Sequence, residues 1–71
     1  MEFNYQSVND ALYNHHENLS GYWSTLTWDD HVATVGYMLE DGTEEDVIVD
    51  RQGNVTVSEK LMAEMDDIDE I

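Results

Sequence analysis

The sequence predicts a small two-layer α+β domain: an antiparallel β-meander of three or four strands, flanked by an N-terminal and a C-terminal helix in the order α-β-β-β-β-α. Three observations lead there. Apolar residues recur at spacings of three and four near both ends, β-branched and aromatic residues fill the middle, and Asp-Gly and Gly-Asn turn signals divide that middle. Helices at the two ends of an antiparallel sheet bury one sheet face and make a two-layer domain.

From Ser7 to Leu19, the residues Val8, Ala11, Leu12, His15 and Leu19 fall on one stripe of an amphipathic helix. Ser7 reads as its N-cap, with Asp10 three residues on, and Gly21 stands where a left-handed residue closes a helix. Phe3 and Tyr5 precede it as a hydrophobic clamp on the first turn. Tyr22 to Trp28 alternates as a strand. Residues 28 to 39 have two readings. Trp28, Val32, Val35 and Leu39 have helical spacing after Thr27, but Val32, Thr34, Val35 and Tyr37 are poor helix formers around a central Gly36, which favours a strand.

The stretch Glu40 to Asp50, EDGTEEDVIVD, is the pivot of the sequence. Asp41-Gly42 reads as a hairpin tip, and six carboxylates surround the triplet Val47-Ile48-Val49. Asp50-Arg51-Gln52-Gly53 follows as a turn with Asp first and Gly fourth, then Val55-Thr56-Val57 as a short strand. Ser58 caps a second helix with the stripe Leu61, Met62, Met65 and Ile68. Acids at its C-terminus oppose the helix dipole, so fraying is expected beyond about residue 66. Residues 1–71 thus read as one acidic domain.

A chain of this length buries only about 60% of its unfolded surface, against an ordering cost on the order of 100 kcal/mol. With no cysteine, packing or a partner chain must stabilise it. The start has no basic and apolar leader, and no apolar run approaches the length of a membrane span, so the expectation is a soluble, cytoplasmic protein.

Charge is the outstanding property. Seventeen Asp and Glu stand against Arg51 and Lys60, for a formal charge of −15. A hydrophobic content of 41% nevertheless argues for a packed domain. Such a surface repels nucleic acid and anionic membranes, so neither is expected as a direct partner, and it attracts cationic surfaces over about 10 Å.

No residue set names a reaction, and the expectation is a non-enzymatic protein without cofactor or metal. No segment has the calcium-loop spacing, because Gly42 is misplaced among Asp41, Glu44 and Glu45. His15 and His16 diverge by about 100° on a helix, and zinc's usual thiolate partners are missing. The serines show no nucleophile elbow and the isolated glycines no phosphate cradle.

The carboxylates themselves remain. Acids two apart on a strand sit about 6 to 7 Å apart, and acids three or four apart on a helix about 5 to 6 Å, separations that resemble the few-ångström charge repeat of a nucleic-acid backbone. We therefore expect the basic surface of a nucleic-acid-binding protein as partner. The primary patch is Glu40, Asp41, Glu44, Glu45, Asp46 and Asp50, extended by Glu64, Asp66, Asp67, Asp69 and Glu70. In size, acidity and lack of an active site, the composition resembles, as a class, the nucleic-acid-mimicking inhibitors that phages and mobile elements direct against restriction, CRISPR or host DNA-binding proteins. Two alternatives stay open. One is a small homodimeric adaptor that joins copies through Trp23, Trp28 and Tyr37 on the outer sheet face; the other is general acidity suited to a salt-rich cytoplasm, which predicts unfolding at low salt.

Overall fold

A computed structural model describes residues 2–69, with side chains placed through Glu64. The elements are α1 (Tyr5–His15), a 3₁₀ turn (Glu17–Leu19), β1 (Thr25–Trp28), β2 (Val32–Met38), β3 (Glu44–Asp50), β4 (Val55–Thr56) and α2 (Glu59–Asp69). The strands form one antiparallel sheet in the order β1-β2-β3-β4. This is the α+β meander with terminal helices that the sequence predicts, and residues 32–38 are strand.

Helix α1 starts earlier than the stripe suggests. Asn4, not Ser7, is its N-cap: Asn4 Oδ1 accepts the Ser7 N–H at 2.8 Å, since a short amide satisfies the orphan donor as well as a hydroxyl does. Tyr5 is accordingly the first helical residue. Phe3 before the cap and Val8 one turn inside are both buried in the core, at the two positions of a hydrophobic staple. The helix stops at His15 because His16 is extended (φ −161°), and His16 Nδ1 accepts the Asn18 N–H at 3.2 Å to begin the 3₁₀ turn. Leu19 reaches the core from that turn, and His15, placed on the apolar stripe by its spacing, is exposed, whereas His16 is half-buried. Ser58 caps α2 as expected, its Oγ accepting the Leu61 N–H at 3.2 Å. The α2 backbone is helical to Asp69; the fraying expected beyond about residue 66 falls where side chains, and from Glu70 the backbone, lie outside the described residues.

One sheet face makes the core. Ala33, Val35 and Tyr37 of β2 and Val47 and Val49 of β3 are buried against Val8 and Leu12 of α1, Leu19 of the 3₁₀ turn and Leu61 of α2. Period-two alternation sends the other set outward: Val32, Thr34, Gly36 and Met38 on β2, with Glu44, Asp46, Ile48 and Asp50 paired to them on β3. Thr25 and Thr27 of β1 and Thr56 of β4 extend that open face, being registered with Gly36, Thr34 and Ile48.

The expected aromatic dimer face is corrected here. Tyr37 is fully buried in the core, where its hydroxyl donates to Leu19 O at 2.7 Å. Trp28 pairs with the buried Ala33 and so points to the helix side. Trp23 joins it there although it is an odd number of residues away. The Ser24 N–H and Oγ both donate to Gly36 O, at 2.8 and 3.1 Å, while Thr25 is the ladder partner of Gly36. Two residues thus oppose one, the arrangement of a β-bulge, and the extra residue reverses the alternation.

Gly36 lies where β1 and β3 crowd β2. A Cβ there would land against Thr25 Oγ1 and within 3.8 Å of Asp46 Oδ1. Gly36→Ala is therefore expected to lower stability by about 1–3 kcal/mol, and Thr25→Ala in the same chain should recover most of that loss. Urea denaturation of the two single variants and the double variant measures the coupling; strictly additive effects would refute the crowding. Tyr37→Phe strands a buried carbonyl and should cost about 1–2 kcal/mol, seen as a melting point lower by about 4–8 °C for each kcal/mol. An unchanged melting point would mean that the hydroxyl is dispensable.

Candidate functional site

All three hairpin connections are built around an aspartate. Asp29 Oδ1 accepts the His31 and Val32 N–H groups at 2.7 and 2.9 Å. At the β2–β3 tip, Gly42 N–H bonds Leu39 O and Leu39 N–H bonds Thr43 O, and Asp41 Oδ1 accepts both the N–H and the hydroxyl of Thr43, at 3.0 and 2.6 Å. At the β3–β4 tip the same plan returns: Gly53 N–H bonds Asp50 O, and Asp50 Oδ1 takes the Gln52 and Asn54 N–H groups at 2.8 and 2.9 Å. Gly42 and Gly53 carry φ of +88° and +85°, the left-handed step that lets a type I turn rejoin a twisted ladder.

These hydrogen bonds hold the three carboxyls below the ordinary carboxylate range. For Asp29 the Val32 N–H is the chief cause, followed by that of His31. For Asp41 the Thr43 hydroxyl leads, then the Thr43 N–H, then Lys60. For Asp50 the Asn54 N–H leads. Part of the negative charge is thus structural.

The patch inferred from the sequence divides into two. Glu44, Asp46 and Asp50 line the open face of β3, with Glu40 exposed at the neighbouring tip. Glu45 projects to the helix side, half-buried, and accepts the Ser58 hydroxyl at 3.0 Å. Asp41 pairs with Lys60 at 3.0 Å. The Lys60 ammonium, whose pKa Asp41 raises, also feels the charges of Glu45 and Glu64, and its pairing with Asp41 ties α2 to the hairpin. A run of consecutive acids looks like one patch in sequence, but strand alternation splits it between two faces. Asp66, Asp67 and Asp69 lie on the last turns of α2, with side chains outside those described, and Glu70 lies outside the described residues altogether.

The two basic side chains are both engaged within the fold. Lys60 Nζ also reaches Thr43 Oγ1 at 3.3 Å. Arg51 lies with its guanidinium 4.8 Å from the centre of the Phe3 ring and donates through Nε to Asp30 O. The open sheet face therefore carries threonines, Val32, Met38, Ile48 and three carboxylates, with no cation among the described residues there.

Sequence reasoning missed a cluster of rings, Tyr5 and Trp28 exposed and Trp23 half-buried. Tyr5 stacks on Trp23 with centroids 6.2 Å apart, and meets Trp28 edge-on at 5.6 Å. The signal that could have found it is the bulge, but no residue type announces one at Ser24. A separate groove of about 610 Å³ lies between α1 and the β3–β4 tip, lined by neutral amides such as Asn14, Gln52 and Asn54 together with Asp10 and His15.

Among the described residues no group of three or more His, Cys, Asp or Glu is placed to hold a metal ion, and no helix is long and apolar enough to cross a membrane. No known protein family, curated protein or solved structure matches the chain.

A group with a depressed carboxyl pKa stabilises the fold above its unfolded value, near 3.9, and loses that contribution as pH falls through the folded value. Asp41→Ala should therefore weaken the fold at neutral pH, and its deficit against the parent chain should shrink in acid, below the usual carboxylate range. Asp41→Asn should do less harm, because an amide oxygen still accepts from Thr43. Denaturant midpoints at neutral and acid pH decide the matter, and a deficit independent of pH would show that the carboxylate form is not what the turn requires.

Proposed function

We propose that this chain is a non-enzymatic, cytoplasmic inhibitor that covers the basic nucleic-acid-binding surface of a partner protein and so excludes nucleic acid from it, in the manner of the anti-CRISPR and anti-restriction proteins of phages and mobile elements. The observation that carries this reading is the row Glu44, Asp46 and Asp50 on a sheet face free of described cations. Glu44 and Asp46 are successive outward positions, about 6.6 to 6.8 Å apart, which equals two steps of the roughly 3.4 Å axial phosphate repeat of a single nucleic-acid strand, and Asp50 follows two outward positions on, beyond Ile48. The overall charge supports it as well. The longest extent of the fold is 34 Å, a length over which duplex DNA carries about 20 phosphate charges, and the chain carries −15.

Affinity in this reading comes largely from counterion release at the partner's lysines and arginines, with the chains' usual roles exchanged. It falls as salt rises, and duplex DNA competes. Asp50 is a poor choice for mutation because it also holds its own turn. Glu44 and Asp46 are exposed and make no turn contact, so Glu44→Lys with Asp46→Lys is expected to remove binding while leaving the melting point unchanged or raised.

A tagged chain is incubated with lysate of its native cell, and the captured partner is challenged with duplex DNA and with raised salt. Release of a nucleic-acid-binding protein by both, and its absence from the Glu44→Lys, Asp46→Lys capture, is the expected result. A partner that ignores both challenges and binds the double variant equally overturns the reading.

A further inference from the structure

Three aromatic rings meet at the surface on the helix side of the β1 edge. Tyr5 opens α1, Trp23 leads into β1 and Trp28 ends it. Tyr5 is 61% and Trp28 43% exposed, although the rings touch one another. The Trp23 indole N–H donates to Asn9 Oδ1 at 3.1 Å, which fixes the ring against α1. Beside them runs an open groove of about 490 Å³, lined by Tyr5, Gln6, Asn9, Gly21 and Trp23. Trp23 packs half-buried against the core, while Tyr5 and Trp28 lie outside it and present ring surface to solvent. Grouped, pre-oriented Tyr and Trp side chains are the usual anchors of an interface.

Charge selects the occupant. A second copy would bring another −15 to the same place, so self-association through the rings is opposed. A cation is favoured, and Asp30, exposed in the turn that follows Trp28, adds to the attraction. Among cations the guanidinium fits rings best, because it is planar, weakly hydrated and able to stack while its N–H groups reach neighbouring acceptors. The fold already contains one such contact close by, the Arg51 guanidinium over Phe3, two residues from Tyr5.

We propose that the corner formed by Tyr5, Trp23 and Trp28 seats an arginine side chain from an arginine-rich segment of the partner. This deepens the proposed function and rests on it for the sign of the partner's charge. The acids supply long-range attraction to any polycation, and the corner distinguishes arginine from lysine.

Both tryptophans of the chain belong to the corner, so their emission reports its occupancy directly. The full chain is titrated with an oligoarginine and an oligolysine peptide of equal length at moderate salt. Oligoarginine is expected to bind about two- to fivefold tighter and to change the tryptophan emission more. Tyr5→Leu and Trp28→Leu, each checked for an intact fold by circular dichroism and each followed by anisotropy of a labelled peptide, should bring the two affinities together while sparing that for oligolysine. Glu44→Lys with Asp46→Lys should weaken both peptides alike and keep their ratio. Equal affinity of the parent chain for the two peptides overturns the corner and leaves the charge reading standing, as does an arginine preference that survives both leucine variants. Failure of both peptides to bind overturns the two together.

Discussion

The buried Tyr37 side chain joins the parts of this small domain. It is among the largest side chains with no exposed surface, near the end of β2, and its hydroxyl finds its acceptor on Leu19 of the 3₁₀ turn. That turn is also what α2 packs against. A single residue therefore registers the sheet, the connection from α1 and the C-terminal helix against one another. A phenol suits this task because its ring fills core volume while its tip satisfies a carbonyl that burial would otherwise leave unpaired. Burial in turn raises the phenol pKa above its ordinary value, so the hydroxyl remains a donor across the physiological range.

Around that centre the fold must tolerate its own charge. Self-repulsion lowers the stability of a compact state, and a core of this size has little surplus. Part of the answer lies in the turns. Asp29, Asp41 and Asp50 each accept backbone N–H groups, so three carboxylates that add to the repulsion also hold the hairpins. Lys60 offsets a further group, pairing with Asp41 and feeling the charges of Glu45 and Glu64. What remains uncompensated is concentrated where it does least harm to packing, on exposed strand positions and helix surfaces.

Much of this was legible in the sequence, and the failures have physical causes. The poor helix formers of β2, the apolar triplet of β3, the Asp-Gly tip, the Asp50 to Gly53 turn and the Ser58 cap were all readable because local propensity and tertiary packing agree there. Asn4 was not recognised as the cap of α1 because Ser7 offers an equally good signal one turn later, and only the buried Phe3 decides between them. The bulge at Ser24 was invisible, since it arises from two donors sharing Gly36 O, a tertiary event. That one residue moved Trp23 to the side of Trp28 and removed the aromatic outer face. The acidic patch failed in the other direction: Glu45 was grouped with Glu44 and Asp46 by sequence proximity, whereas the pleat sends it towards Ser58.

The edge of the sheet shows how charge and backbone act together. Asp29 N–H bonds Val32 O, so in the same register Thr25 and Thr27 spend their backbone groups on β2, and those of Leu26 and Trp28 face the free edge of β1. An open edge of this kind invites pairing with another strand, and proteins commonly guard it with lysine, proline or a covering loop. β1 contains neither residue. It is short, and the bulge at Ser24 twists its start, but the stronger safeguard against self-pairing is the net charge, which a second copy would double at close range. The same field draws a basic segment inward. A surface that repels its own kind and attracts polycations can leave both a strand edge and a set of aromatic rings uncovered, because the molecules best able to reach them are those of opposite charge.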